Sequence, residues 1–143
     1  MPYKYLEEIA TADVALEAWG ASMGETFIAA ADAAVNVMVQ DLATISPQTR
    51  RQFRLENAEP DMLLFALLEE LIFLKDAEQL LLRVSDIHIQ RSATGWQLDA
   101  IAAGEKIDPD KHPLVVDVKA VTLHRFQVVQ ADSGWTAMVI LDI

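Results

Sequence analysis

From residue 12 the chain alternates. The stretch ADVALEAW sets Val14, Leu16 and Ala18 on one side of an extended strand and Asp13, Ala15, Glu17 and Trp19 on the other, and Gly20 closes it. Tyr3 to Glu8 predicts a shorter strand ahead of it. After Gly20 the period changes. Ser22-Met-Gly-Glu25 has the form of a capping box, in which the serine oxygen accepts from first-turn amides and the glutamate reaches back. Phe27, Ala31, Ala34, Met38 and Leu42 then recur at helical spacing, and the many alanines imply close packing against a sheet. Pro47 marks the loop beyond. Arg51, Phe53 and Leu55 alternate with Arg50, Gln52 and Arg54, a strand with one solvated side. Pro60 and Asp61 open a second helix running to about Asp76. Its Leu63, Leu67, Leu71 and Leu74 share a face that Leu64, Leu68 and Ile72 widen, so this helix is expected to be largely buried. Four strands are predicted to finish the chain: Leu82 to Gln90, Trp96 to Ala103, Leu114 to Val129 with a break, and Trp135 to Ile143. Gly95 separates the first two, and Asp132-Ser133-Gly134 turns a hairpin into the last. Short turns between consecutive strands imply antiparallel pairing. The expected class is α+β: one domain over residues 1–143, with two helices packed on predominantly antiparallel sheet.

Composition narrows the function. Hydrophobic residues make up 52% of the chain, enough for a core. With no cysteine there is no disulfide framework, thiolate metal site or cysteine nucleophile. The start MPYKYLEE lacks a signal-peptide pattern, and the block MLLFALLEELIFL is interrupted by Glu69 and Glu70 and too short to span a bilayer. A cytoplasmic protein without membrane contact is expected. The net charge of −11 repels phosphate backbones and anionic lipid, so direct nucleic-acid binding is not expected. A basic protein partner or a cation suits it better.

Few residues offer chemistry. The serines have cap or turn explanations, and the scattered glycines form no phosphate-cradling loop. His88, His112 and His124 share no metal-ligand spacing. His88 and His124 fall on predicted strands, where hydrogen-bonded structural roles are expected. His112, in the polar loop Asp108-Pro-Asp-Lys-His112-Pro, can face a partner or simply sit in a solvated turn. Asp13 and Asp142 stand apart, each at the end of an otherwise apolar or alternating strand, where a half-buried carboxylate needs a partner. Ile143 adds main-chain and terminal oxygens one residue after Asp142. If the two strands are neighbours, the crowded charges call for a hard cation.

Taken together, TADVALEAWG, EELIFLKDAEQLL from Glu69, GEKID from Gly104, KHP from Lys111, VKAVTLH from Val118 and the closing VILDI resemble the archease family, in order over nearly the whole chain. That resemblance implies a non-catalytic activator of an RtcB-type RNA-splicing ligase in tRNA splicing. It would promote guanylation of the ligase and repeated turnover. It also implies a divalent cation, calcium foremost with magnesium or manganese as alternatives, held by Asp13, Asp142 and Ile143. Lys111, His112 and Lys119 match family positions offered as partner or effector contacts. Two departures stand out: Ala10 where the family usually has histidine, and Leu123, expected to pack, where an aromatic is common. A chaperone-like module with broader clients and a structural metal is the alternative reading.

Overall fold

The computed structural model describes residues 2–6 and 13–143. The chain runs β1 (Tyr3–Leu6), β2 (Asp13–Gly20), α1 (Met23–Met38), a 3-10 turn (Leu42–Thr44), β3 (Thr49–Asn57), α2 (Pro60–Glu78), β4 (Leu80–Ser92), β5 (Gly95–Lys106), β6 (Ala120–Ala131) and β7 (Gly134–Asp142). The parts of the first two predicted strands at Glu7, Glu8 and Ala12, and the Ala10 departure, lie outside the described residues.

Local chemistry accounts for the helix ends. The Ser22 hydroxyl accepts from the Glu25 N–H at 3.1 Å, and the Glu25 carboxylate accepts from the Ala21 N–H at 2.8 Å. That return contact reaches one residue further back than in the simple capping box. At the other end α1 stops at Met38, because Val39 turns extended and bridges Leu114 while the Asn36 amide donates to the Val39 and Gln40 carbonyls. Leu42, expected on the helical stripe, therefore begins the 3-10 turn instead. Pro60 occupies the first turn of α2, where its missing N–H costs nothing, and Gln79 closes the helix in the left-handed region at φ 56°.

All strand pairings are antiparallel, but they build two sheets: β1-β2-β7-β6 and β3-β5-β4. The four predicted closing strands are thus divided. The β4–β5 hairpin joins β3, while the β6–β7 hairpin joins the N-terminal strands. Both helices touch both sheets, α1 through β2, β7 and β4, and α2 through β6, β3, β4 and β5. This position explains the alanines of α1. Ala29, Ala30, Ala31, Ala33 and Ala34 are all buried, so little side-chain bulk holds the two sheets from the helix axis. One hydrophobic cluster runs through Leu16, Phe27, Leu63, Leu67, Leu98 and Leu141.

The strand expected from Leu114 begins only at Ala120. Residues 114–119 form a connection in which Leu114 makes a single bridge to Val39. Further along, β6 carries a register shift between Thr122 and Gln127, with Arg125 in the left-handed region at φ 54°. The irregularity turns Leu123 outward, 60% exposed, rather than into the packing expected of it.

Candidate functional site

β7 lies between β2 and β6, and its register brings the two isolated aspartates together. Asp13 pairs directly with Asp142 across the β2–β7 ladder. Val14 with Leu141 and Leu16 with Val139 follow along the same ladder and belong to the main core. Side chains alternate across a strand, so the Asp13–Asp142 row projects from the opposite face of the sheet. Directly opposed residues carry their side chains on one face, with Cβ atoms about 4.5–5.5 Å apart. Two like charges so placed repel, and both aspartates are only half-buried. On that face the next row is Ala15 opposite Ile140, both buried yet outside the main hydrophobic cluster.

β6 supplies the third side. Ala120 pairs with Asp142 and Thr122 with Ile140, which puts Thr122 on the same face as the aspartates. Its hydroxyl oxygen is buried, with no hydrogen-bond partner among the described residues. The Asp142 carbonyl accepts from the Lys119 N–H at 2.8 Å, which secures the last turn of chain against the entry to β6. Among the described residues no group of three or more His, Cys, Asp or Glu side chains has metal-binding geometry. A cation here would therefore take two carboxylates and complete its shell with main-chain oxygens, a hydroxyl or water. That oxygen-only donor set suits a hard ion such as calcium or magnesium. The paired carboxylates and the buried Thr122 oxygen fit such an ion.

The other singled-out residues separate. Lys119 is exposed beside this tip. Lys111 and His112 lie in the loop after β5, and their side chains are engaged internally. His112 is 1% exposed; the Asp108 N–H donates to its Nδ1 at 2.9 Å, which leaves Nε2 to donate to Glu105 at 2.9 Å. Both ring nitrogens are thereby used inside the fold. A surface contact, or a solvated turn, gives way to a structural histidine. Lys111 Nζ reaches Glu105 at 2.7 Å and the Ser46 hydroxyl at 2.8 Å, so its ammonium is likewise committed to the loop. His88 and His124, expected to be the structural histidines, are on strands but exposed. Their strands face solvent at those positions, a distinction that alternation alone does not settle.

Glu105 collects these contacts. Lys111 beside it, with donation from the Ser46 N–H and from His112, holds its carboxyl far below the usual carboxylate range, down to about 2 from 4.5. A depressed folded-state value contributes stability that is complete above pH about 4.5 and is lost as pH falls toward about 2. Glu105→Gln is accordingly expected to lower the Tm at pH 7. The gap from the parent protein is expected to narrow progressively below pH 4.5. A gap independent of pH in thermal melts across that range would refute the assignment.

The whole chain has counterparts among known proteins. The Archease protein family matches residues 3–143. A relative named protein archease from Pyrococcus abyssi is 34% identical over 134 residues, covering 93% of this chain and 94% of its own. Another of that name, from Methanopyrus kandleri, is 30% identical over the full length of both. The solution structure of Methanobacterium thermoautotrophicum protein 1598 is similar with a TM-score of 0.85 at 29% identity, covering 99% of each chain. A crystal structure from Thermotoga maritima, described as "an archease, possible chaperone", shares the fold at 18% identity with a TM-score of 0.57, covering 96% of this chain and 97% of its own.

Proposed function

Since this chain belongs to the archease family, we propose that it is a non-catalytic activator of an RtcB-type RNA-splicing ligase, working through a divalent-cation site at the tip formed by Asp13, Asp142 and Ile143. The observation that carries the reading is the direct cross-strand pairing of Asp13 with Asp142. Nothing in the core requires two opposed carboxylates on that row, and a cation relieves their repulsion. Asp13 and Asp142 would hold the ion by their carboxylates and Ile143 by its main-chain oxygens. Bound there, the ion would supply a concentrated positive charge able to engage an anionic group of the partner's nucleotide site. The chain's own part is to bind and orient. Its net charge of −11 favours encounter with a ligase whose RNA groove is basic, and keeps the activator off the RNA itself. Lys119, exposed beside the tip, is the contact residue that remains from the sequence reading.

The test is covalent guanylation of the cognate ligase at limiting GTP and metal, with and without this protein. Faster guanylation and turnover beyond a single round are the expected result; an unchanged rate overturns the proposal. A chaperone-like role is favoured by a different observation, the exposed apolar run Leu114, Val115 and Val116. Suppressed aggregation of unrelated proteins, with guanylation unaffected, would select that role.

A further inference from the structure

α2 carries one lysine, Lys75, and it is only 6% exposed. A buried ammonium is costly unless all three donors are used. Here Nζ donates to the Asp117 carboxylate and to the Val118 carbonyl at 2.6 Å, and the Asp76 carboxylate adds an ion pair at 2.9 Å. The last contact matters most. The Val118 carbonyl and the Lys119 N–H belong to the same peptide group, and that N–H donates to the Asp142 carbonyl at 2.8 Å. One peptide unit is thus gripped from both sides, by a charge from α2 and by the last strand residue before Ile143. An ammonium on the carbonyl polarises the peptide and strengthens donation from its N–H. A line of contacts runs from the buried helix to the aspartate pair without passing through solvent.

We infer that Lys75 is a positioning residue for the aspartate tip: through the Val118–Lys119 peptide it fixes the backbone at Asp142 and so sets the affinity of the Asp13–Asp142 pair for a divalent cation. This rests on the cation reading given above. A role confined to holding the 114–119 connection in place would change stability but not cation affinity.

The experiment titrates calcium chloride into chelator-stripped full-length protein by calorimetry, alongside amide hydrogen exchange at Lys119. With Lys75→Met, Lys119 exchange is expected to accelerate, and calcium to bind roughly 10- to 100-fold more weakly, as is usual when a group supporting a metal ligand is lost. Lys75→Arg, which restores a cationic donor, is expected to recover most of both. If Lys75→Met does not fold, Lys75→Gln, whose shorter, uncharged side chain places no cation on that carbonyl, carries the same comparison. Equal calcium affinity in the parent and variant proteins overturns the positioning role alone. No calcium binding by the parent protein overturns the cation site and this inference with it.

Discussion

Asp142→Asn is expected to move stability in opposite directions with and without metal. In metal-free protein the substitution removes one of two charges set directly opposite each other on β2 and β7. Relief of such a like-charged pair stabilises by about 0.2–1 kcal/mol, or up to about 4 °C in Tm for a domain of this size. With calcium at a hundredfold excess over its dissociation constant, the parent protein gains about 2.7 kcal/mol by mass action, or about 5–10 °C. The variant should lose most of that gain, because removing a charged ligand from an oxygen site weakens binding by roughly 100-fold or more. Melting curves therefore cross: the variant is the more stable protein in chelator and the less stable in calcium. Stimulation of ligase guanylation should fall with the metal-dependent part. A variant less stable than the parent in chelator would show that Asp142 has a structural partner and no repulsion to relieve. A calcium shift equal to that of the parent would remove the aspartate from the site.

The same residues show where a single sequence is legible. Asp13 and Asp142 were conspicuous because aspartate ends two otherwise apolar or alternating runs, and strand chemistry alone flags such positions. Their meeting is implied by the family resemblance and not by the residue pattern itself. It depends on β7 entering between β2 and β6, a pairing between residues more than a hundred positions apart in sequence. Helix starts were readable to the residue, since Ser22-to-Glu25 and Pro60 act through neighbours within one turn. Where α1 stops was not, because Val39 leaves the helix to bridge Leu114, again a distant partner. Likewise, period-2 patterning located β4 through β7 but carried no information on which hairpin joins which sheet. The histidines make the point at side-chain scale. His112 stands in a run of polar residues and prolines that reads as solvated, yet Glu105 and the Asp108 N–H draw its ring inward. Lys75, which donates to the Val118 carbonyl, gave no signal: its acidic neighbour Asp76 is ordinary on a helix, and Val118 lies over forty residues away.

Gly104→Ala is the substitution expected to cost the fold most for the fewest atoms. Gly104 sits in β5, the central strand of its sheet, paired with Thr49 on β3 and Leu82 on β4. A Cβ at this position would lie 1.7 Å from the Leu81 carbonyl oxygen, with the Leu81 carbonyl carbon at 2.8 Å and the Leu82 Cα at 3.0 Å. Every one of those neighbours is backbone, so no side chain can rotate away. Glycine within a strand often marks such a close approach of a neighbouring chain. Relief requires β4 to separate from β5 where Leu81 and Leu82 are buried in the core. It would also displace the next residue, Glu105, which holds Lys111, His112 and the Ser46 N–H. The cost should reach the order of 3 kcal/mol or more, in the range reserved for forced backbone movement in a packed interior. In a chain of this length that lowers Tm by about 6–12 °C. Chemical denaturation should show the loss as a lower midpoint with an unchanged slope, since the same surface is exposed on unfolding. The calcium response proposed for Asp13 and Asp142, which lie on the other sheet, should survive in whatever fraction remains folded. A loss below about 1 kcal/mol would mean that β4 and β5 can part at this row without disturbing Leu81, which the buried position of that residue argues against.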